Sequence, residues 1–436
     1  MRTHFIKSGG ESQLCDPAPT SSKVVQLTSI TKMRRIQAYF GMPFFVESHR
    51  LTVPCSLCVF FKQGGRIVKD YIFTSESVTE GHPDKVCDLI ADSIVDEALR
   101  QDPNSNMAVE ATIKDDFILV YGEANTKATI DFEKIAKDVL KKIGYPEEYR
   151  VTTVVNKQSP EIHNAVNKTS DGKLEVAAGD QGIMFGYASN ETDEYMPAPI
   201  YYAHKLSRQL TKVRRQHPDL LKPDGKTQVS VEYKDDKPVR IDTIVVSSQH
   251  SADLSQEDLK KLIMDEVIKP VIPADLLDEN TKYFINPSGS FVVGGSFGDS
   301  GTTGRKIVCD TYGGMGHIGG GCFSSKDPTK VDRSAAYYSR WVAKNIVANG
   351  LADKCEVEVA YAIGRKEPVS ILVDTFGTGK VSDEEIMDIV RKNFNFEVGN
   401  ILEELDLRKP IYTRTTNYGH FGDPALPWEK IKELKR

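Results

Sequence analysis

The sequence lacks the features of several specialised classes of protein. No apolar run approaches the roughly 20 residues that span a bilayer, and seven cysteines scattered over 436 residues fit a reduced intracellular protein better than a disulfide scaffold. Basic residues are not in excess: the chain has 56 Lys and Arg and 62 Asp and Glu, which gives a formal net charge of −6. We therefore expect a soluble, cytoplasmic protein without membrane or nucleic-acid partners, which meets any polyanionic ligand with a local cluster of cations.

Residues 1–70 differ in composition from the rest of the chain. Between Pro17 and Val46 there is no acidic residue, which is typical of an organelle transit segment, but the amphipathic repeat of such segments is missing. Cys55-x-x-Cys58 has no second cysteine pair at metal-ligand spacing, so it indicates zinc or redox chemistry only weakly. We favour a poorly ordered extension, or upstream sequence included in the gene model.

From residue 71 onward the chain repeats a helix–hairpin–helix pattern three times. Runs rich in β-branched and aromatic residues predict hairpins at 107–124, 227–249 and 355–376. Apolar periodicity predicts a helix before each hairpin, at 85–101, 198–215 and 333–349, and one after it, at about 130–143, 256–268 and 383–393. This order predicts an α+β fold in which helices cover one face of largely antiparallel sheets. The other sheet faces would pack on each other or on a second subunit.

The glycine-rich stretch 291–341 is the densest candidate site. Glycine permits tight turns and the close approach of backbone amides to an anion. The stretch also contains cations and carboxylates, namely Arg305, Lys306, Lys326, Lys330 and Arg333, with Asp299, Asp310, Asp327 and Asp332. Such a combination suits a phosphate chain with Mg²⁺, because carboxylates hold the metal and cations hold the remaining oxygens.

Three familiar motifs fit this stretch poorly. A P-loop requires an earlier glycine that is missing ahead of Gly304, and a dinucleotide-binding fingerprint starting at Gly314 requires a helix that does not follow. The segment GGSFG at 294–298 matches the G-x-S-x-G nucleophile elbow, but the apolar helix that should come next is absent from the sequence. A hydrolase with Ser296 as nucleophile therefore stays open as a disfavoured alternative.

Four longer motifs resemble those of a known enzyme family. They are FTSESVTEGHPDK (73–85), GDQGIMFGYASNETDEYMPAPI (179–200), GDSGTTGRKIVCDTYGG (298–314) and KDPTKVDRSAAY (326–337). They closely resemble S-adenosylmethionine synthetases, also called methionine adenosyltransferases, and the likeness extends to YGHFG at 418–422. The resemblance implies three similar α+β domains around a pseudo-threefold axis. We place them at 71–170, 176–292 and 293–431, behind an extension at 1–70.

The resemblance also implies a reaction. In this family the sulfur of L-methionine attacks C5′ of ATP and expels tripolyphosphate, which is then hydrolysed to phosphate and pyrophosphate. A thioether carries no proton, so a site rich in cations and carboxylates needs no Ser-His or Cys-His dyad. The family requires two Mg²⁺ ions per site and is activated by K⁺. It works as homodimers, often paired into tetramers, with the active sites between subunits.

Carried over residue by residue, the family motifs give each candidate a role. The residues implied to be catalytic are His82, Lys226, Asp299, Arg305, Lys306 and Lys326. ATP is expected to contact all six and also Asp224, Ser290, Phe291 and Cys322. Methionine is expected to contact Glu123, Gln158, Asp180, Asp299 and Lys330. The implied Mg²⁺ ligands are Asp84 and Asp332, and the implied K⁺ ligand is Glu110.

Some of these residues also have ordinary structural interpretations. On spacing alone Glu110 and Glu123 would be solvated strand carboxylates, and His82 would be a polar helix cap. Lys85 is expected beside His82 at a helix start that favours anions. The resemblance further implies that Phe291 stacks on adenine and that the segment 156–166 is a mobile loop that closes over the site.

The sequence departs from the family pattern at four places. Ser290 stands where arginine is usual, Ser325 where glycine is usual, AAGDQG replaces GAGDQG, and His317 lies one position before the usual histidine. None of these changes removes an expected metal ligand or phosphate-binding cation. Ser290 and Ser325 nevertheless motivate a second hypothesis, a catalytically silent paralogue that binds nucleotide or partner subunits.

Overall fold

The computed structural model describes residues 70–157, 167–170 and 173–436, with 167–170 and 173–175 described by their backbone alone. The predicted extension up to residue 69, including Cys55 and Cys58, lies outside the described residues, as do Gln158 and most of the loop 156–166. Among the described helices, none has the length and apolar character needed to cross a bilayer.

Helices are interspersed with pairs and runs of strands along the described part of the chain. The α-helices are α1 Pro83–Gln101, α2 Phe132–Ile143, α3 Ala198–Gln216, α4 Gln256–Leu262, α5 Gly295–Gly298, α6 Ile307–Asp310, α7 Val331–Ala348, α8 Asp383–Asn393 and α9 Val398–Glu404. The strands are β1 Tyr71–Val78, β2 Asn106–Lys114, β3 Phe117–Asn125, β4 Arg150–Asn156, β5 Asn167–Ser170, β6 Lys173–Val176, β7 Gly182–Ser189, β8 Leu221–Lys234, β9 Lys237–His250, β10 Lys282–Ile285, β11 Gly301–Thr302, β12 Lys354–Tyr361 and β13 Ser370–Asp374.

Each predicted helix–hairpin–helix unit is present and has its own apolar core. The first core lies between α1, α2 and the β2–β3 hairpin, the second between α3, α4 and β8–β9, and the third between α7, α8 and β12–β13. Representative buried side chains are Ile90, Val109 and Leu140 in the first, Leu206, Val229 and Leu259 in the second, and Val342, Val357 and Ile389 in the third. The α+β class and the threefold repetition are therefore confirmed.

The sheets are largely antiparallel, as predicted. Their strand orders are β11-β2-β3-β4, β1-β8-β9-β10 and β13-β12-β7, with a separate β5-β6 pair. The exceptions are β4 and β10, which pair in parallel with β3 and β9 at the edges of their sheets. Helix α4 passes directly into a single π-helical turn at Ile263–Ile268, so the predicted helix 256–268 is continuous.

Each large sheet is completed by a strand from another unit. Strand β1 precedes the first unit but pairs with β8 of the second, and β7 precedes the second unit but pairs with β12 of the third. Strand β11, which lies between the second and third units, pairs with β2 of the first. Gly301 is required at the last crossing, because a Cβ atom there would lie 2.2 Å from the carbonyl oxygen of Pro83. The glycine-rich loop is thus held against the start of α1.

Candidate active site

The start of α1 brings together several predicted site residues. His82 is the N-cap, its Nδ1 accepting a hydrogen bond from the Asp84 amide at 3.2 Å, and only 3% of the residue is exposed. Burial, with the nearby Lys306 and Lys226 ammonium groups, lowers the pKa of His82 to about 3. The imidazole is therefore neutral at pH 7, and since Nδ1 accepts, Nε2 carries the proton and is a donor. His82 therefore caps α1 through Nδ1 and can still donate a hydrogen bond through Nε2–H.

Asp84 holds the glycine-rich loop through both carboxylate oxygens. Its Oδ1 accepts from the Thr302 amide at 3.0 Å, and its Oδ2 lies 2.5 Å from Lys306 Nζ. Burial opposes ionisation of this carboxyl, but the hydrogen bonds from Lys306 and Thr302 outweigh it and lower its pKa. Arg305 Nε approaches Oδ1 to 3.9 Å, and its side chain is 57% exposed. An exposed guanidinium and a lysine therefore flank one ionised carboxylate.

Lys85 points away from this cluster. Its ammonium is buried, lies 2.9 Å from Asp88 Oδ2, donates to Asp310 and also donates to the Thr416 carbonyl at 2.9 Å. Two hydrogen bonds and one ion pair therefore hold the ammonium inside the protein. The expectation that Lys85 lies beside a bound anion is therefore not supported by its contacts.

Asp224 contributes a buried carboxylate with an unused acceptor. It lies on β8, two residues before the exposed Lys226. Its Oδ2 accepts from the Gly295 amide at 2.8 Å, while Oδ1 is buried without a hydrogen-bond partner in the described part of the chain. Buried carboxylate oxygens are normally paired, so this oxygen suits a ligand hydroxyl.

We expect Asp224→Asn to stabilise the protein at neutral pH and not at acidic pH. Burial raises the pKa of Asp224 from 3.8 to about 6, so the folded state holds this proton more tightly than the unfolded state. The cost of ionisation is absent below about pH 3.8 and complete above about pH 6, where it reaches at most about 3 kcal/mol. The measurement is the difference in Tm between variant and parent from pH 4 to pH 8. A difference that stays constant over this range would contradict the prediction.

The segment after β10 places the other expected ATP contacts near Asp224. The Phe291 amide donates to His250 Nε2 at 3.1 Å, and its half-buried ring lies so close to Gly294 that a Cβ there would be 3.0 Å away. Asp299 is exposed and accepts from the Ser300 amide at 2.8 Å. Ser290 is exposed, and its contacts do not explain why it replaces the usual arginine.

The start of α7 repeats the arrangement seen at α1. Asp332 lies in the first turn of α7, and its Oδ2 is 2.5 Å from Lys326 Nζ. Lys330 caps the helix and donates to Asp327 at 3.0 Å. A Cβ at Gly179 would lie 3.0 Å from the Lys330 side chain, so the loop that carries the exposed Asp180 lies against it.

Strand pairing brings two further candidates, Glu123 and Glu110, to the region of Lys326. Glu123 on β3 is opposite Ala108 on β2, and Ala108 bridges Lys326, so Glu123 and Lys326 lie on the same sheet face. Glu110, two residues along β2, is half-buried and accepts from the Tyr121 hydroxyl at 3.1 Å. Glu123 is exposed. Both glutamates therefore remain accessible on the strands where they were expected.

Cys322 packs against the glycine-rich loop at Gly304. A Cβ at Gly304 would be 2.8 Å from its sulfur, which places the thiol against the residue that precedes Arg305. Burial raises the pKa of Cys322 to about 11. The thiol is therefore protonated at pH 7 and can pack or donate weakly but cannot act as a nucleophile.

Ser296, the alternative nucleophile, is occupied by structural contacts. It is 2% exposed, and its hydroxyl donates to the Asp115 carbonyl at 2.7 Å. A serine nucleophile must give its hydroxyl proton to a base. The Ser296 proton is instead donated to a main-chain carbonyl. Its surroundings therefore do not favour a hydrolase.

Ser325 adopts a backbone conformation that favours glycine. Its φ is +80°, it is fully buried, and its hydroxyl has no hydrogen-bond partner among the described residues. Its amide donates to Asp92 at 3.3 Å, a contact that glycine would keep. The positive φ and the buried position explain why glycine is usual in the family at this turn.

We expect Ser325→Gly to raise the free energy of unfolding by at least about 1 kcal/mol. Relief of the backbone strain and removal of the unpaired hydroxyl contribute roughly 1–3 kcal/mol each, and the freedom of glycine in the unfolded chain takes back about 1 kcal/mol. Denaturant unfolding measures the change. Ser324→Gly is the control, because the Ser324 hydroxyl donates to Asp92 at 2.9 Å and its loss should destabilise. A destabilised Ser325→Gly variant would refute this account.

The sequence reasoning missed a row of buried aspartates behind the site. Asp88, Asp92 and Asp96 follow Asp84 along α1, and all are at most 3% exposed. The available signal was their four-residue spacing, which places them on one helix face. Spacing alone did not indicate whether that face is buried or solvated.

The donor set suits Mg²⁺ that arrives with a phosphate ligand. Within the described ranges, no group of three or more His, Cys, Asp or Glu side chains could hold a metal ion by itself. Mg²⁺ is typically bound through one or two carboxylates together with substrate phosphates and water. Asp84 and Asp332 each offer one carboxylate beside a lysine, which fits that mode.

Comparison with known proteins defines the family. The N-terminal, central and C-terminal domain models of S-adenosylmethionine synthetase match residues 70–171, 175–291 and 293–430. Proteins named S-adenosylmethionine synthase from Clostridium tetani and Clostridium botulinum are each 53% identical to this chain, over 382 and 386 residues. Each alignment covers 84% of this chain, and 98% and 99% of the respective relatives. The chain belongs to the S-adenosylmethionine synthetase family, which confirms the resemblance seen in its motifs.

Proposed function

We propose that this protein is an enzyme that forms S-adenosyl-L-methionine from ATP and L-methionine and then hydrolyses the tripolyphosphate to phosphate and pyrophosphate. The observation that carries the proposal is the repetition of one arrangement at two helix starts. Asp84 and Asp332 are each the second residue of a long helix, α1 and α7, and each pairs with a lysine at 2.5 Å. The third long helix, α3, has no acidic residue in its first turn.

The cations would stabilise the departing tripolyphosphate. Lys226, Arg305, Lys306 and Lys326 supply four positive charges around the glycine-rich loop, and His82 offers a neutral donor through Nε2. Preorganised charge aimed at a developing anion is usually the largest catalytic term. Because the leaving group is already an anion, these groups need to stabilise charge and do not need to transfer a proton.

The remaining candidates would position the two substrates. The unpaired Oδ1 of Asp224 suits a ribose hydroxyl, and the Phe291 ring suits adenine. The methionine amino group would meet Glu123 or Asp180, its carboxylate would meet Lys330, and Asp299 would lie between ATP and methionine. Holding sulfur, C5′ and the leaving oxygen in line can contribute roughly 7–11 kcal/mol.

The proposed cofactors are two Mg²⁺ ions and K⁺. Asp84 and Asp332 would hold Mg²⁺, and the half-buried Glu110 would hold K⁺. When bound, Mg²⁺ supplies positive charge to the phosphate oxygens. The lysines that now pair with the two aspartates would then be available to the phosphate chain.

A homodimer, with pairing into a tetramer as a further possibility, is the proposed assembly. Apolar side chains lie exposed on the sheets, with Ile72 at 54% and Phe284 at 45% in one sheet and Leu372 at 56% and Ile183 at 45% in another. Exposed apolar residues on sheet faces favour burial by a partner. The domain boundaries at 71–170, 176–292 and 293–431 and the cytoplasmic location stay predictions.

The first experiment is an assay of the purified full chain with ATP, L-methionine, Mg²⁺ and K⁺. S-adenosylmethionine and phosphate are followed together, with Lys226→Ala and Asp299→Ala as inactive controls. Product in the parent and not in the controls would support the proposed reaction and its residues. ATP binding without product would instead support the catalytically silent paralogue.

We expect Ser290→Arg to lower the KM for ATP about tenfold. A charge-assisted hydrogen bond contributes about 1.5–3 kcal/mol, and the family arginine at this position is expected to contact ATP. Ser288→Arg is the matched control, because it adds the same charge to an exposed position two residues earlier. An unchanged KM in Ser290→Arg, or an equal decrease in Ser288→Arg, would contradict the prediction.

A further inference from the structure

We infer that Asp88 and Asp92 of α1 are positioning residues for the phosphate-binding cations, an inference that rests on the proposed function. With Asp84 and Asp96 they form the aspartate stripe, four carboxylates at four-residue intervals along one helix face. Exposure is 3% for Asp84 and Asp96 and 0% for Asp88 and Asp92. Burying a carboxylate is unfavourable unless it accepts hydrogen bonds or pairs with a cation. The role of the stripe therefore depends on which groups of the protein contact each carboxylate.

Asp88 holds the loop that carries Arg305 and Lys306. Its Oδ1 accepts from the Gly304 amide at 2.8 Å, and its Oδ2 lies 2.9 Å from Lys85 Nζ. Gly304 has a φ of +81°, and a Cβ there would lie 2.7 Å from the Cys322 side chain. Its main chain is therefore confined between α1 and Cys322 directly before the two cations.

Asp92 holds the turn that carries Lys326. Its two oxygens accept from the Arg333 guanidinium at 2.7 and 3.0 Å, and they also accept from the Ser324 hydroxyl at 2.9 Å and the Ser325 amide at 3.3 Å. Arg333 in turn donates to the Lys326 carbonyl at 3.0 Å. One ion pair therefore fixes the main chain on both sides of Ser325 and next to Asp332.

Asp96 is also met by donors on both oxygens, but these donors are neutral and lie outside the segments that carry the cations. Its oxygens accept from the Tyr412 and Thr413 amides, both at 2.9 Å, and from the Thr413 hydroxyl at 2.6 Å. Neither Tyr412 nor Thr413 is a candidate site residue. The stripe therefore contains its own control, a buried and hydrogen-bonded carboxylate that supports a different segment.

The physical reason is preorganisation of the main chain. Lysine and arginine side chains are flexible, so a cluster of them binds tightly only if their backbone positions are fixed before the ligand arrives. Asp88 and Asp92 provide fixed acceptors for the two segments that carry Arg305, Lys306 and Lys326. Both carboxylates are fully buried and contact other parts of the chain, so they would act through the loops that they hold.

The test compares Asp88→Asn, Asp92→Asn and Asp96→Asn. Each carboxylate uses both oxygens, through hydrogen bonds at Asp92 and Asp96 and through the Gly304 amide and the Lys85 ion pair at Asp88. An asparagine must therefore lose a contact whichever way its amide turns. The probe is diimidotriphosphate, a tripolyphosphate analogue that is not hydrolysed, titrated calorimetrically with Mg²⁺ well below the Tm of each variant. We expect about tenfold weaker binding for Asp88→Asn and Asp92→Asn, and a change of less than about twofold for Asp96→Asn, although all three lower the Tm.

Two results would overturn the inference. One is equal weakening in all three variants, which would make the stripe a purely structural device, and the other is unchanged binding in Asp88→Asn and Asp92→Asn. Lys306→Ala and Lys326→Ala separate this failure from failure of the proposed function, because unweakened binding in these two would remove the phosphate site itself. If an aspartate variant does not fold, Ser324→Ala and Thr416→Val replace it, since both hydroxyls donate to Asp92 Oδ2, at 2.9 and 2.8 Å. Weaker binding in Ser324→Ala alone would support the inference, and equal binding in both would overturn it.

Discussion

Replacing Arg333 with methionine is expected to lower the free energy of unfolding by about 3–5 kcal/mol. Arg333 and Asp92 are both fully buried and joined by two hydrogen bonds of 2.7 and 3.0 Å. Removing one partner leaves an uncompensated charge in the interior, which costs far more than the pair gains over an apolar replacement. Denaturant unfolding monitored by far-ultraviolet circular dichroism measures the loss.

The matched control for this prediction is an exposed ion pair. Lys134 and Asp138 lie 2.5 Å apart on α2 with side chains 68% and 59% exposed, and Lys134→Met should change the free energy by no more than about 0.5 kcal/mol. The double variant Arg333→Met/Asp92→Asn should be more stable than Arg333→Met alone, because it removes the orphaned charge. If the free energy of unfolding of the double variant falls by as much as those of the two single variants together, the orphaned buried charge is not the cause of the instability of Arg333→Met.

Replacing Lys306 with methionine is expected to reduce kcat for S-adenosylmethionine formation by about a hundred- to a thousandfold. The ammonium lies 2.5 Å from Asp84 beside the exposed Arg305, in the cluster proposed to receive the tripolyphosphate. Loss of one preorganised group aimed at a developing anion typically has an effect of about this size. Steady-state kinetics with saturating methionine give kcat and the KM for ATP, and a separate assay gives the rate of tripolyphosphate hydrolysis.

Two variants test the specificity of this effect. Lys306→Arg keeps the charge and should retain more activity than Lys306→Met. Lys269→Met removes a lysine from an exposed pair with Asp265 at 2.7 Å and should leave kcat unchanged. A kcat for Lys306→Met within about threefold of the parent value would rule out a major role for Lys306 in stabilising the leaving group.

The secondary structure was largely predictable from local pattern. The hairpin predicted at 107–124 is present as Asn106–Lys114 and Phe117–Asn125, and the helix predicted at 383–393 has the same bounds in the structure. These elements arise from side-chain periodicity and turn residues, which are properties of consecutive residues. The third hairpin was predicted at 355–376, but β13 ends at Asp374 because Phe376 has a φ of +53°.

The candidate site was predictable mainly where chemistry is carried by motifs. Asp84 and Asp332 were expected as separate ligands, and both lie at helix starts beside lysines. The direction of Lys85 and the burial of Asp88 were not predictable. Whether a charged side chain on a helix faces solvent or the interior depends on what packs against it, and here the partners Asp310 and Gly304 lie 225 and 216 residues further along the chain.

Local patterns of residues account for the helices, the hairpins, their threefold repetition and the residue types of the site. Which strands complete each sheet and which charges are buried depends instead on long-range packing. Edge strands such as β1, β7 and β11 offer unpaired amides and carbonyls that any other edge can satisfy, so their pattern does not specify a partner. Packing between units selected β8, β12 and β2, and that choice placed the glycine-rich loop against α1 and its aspartates.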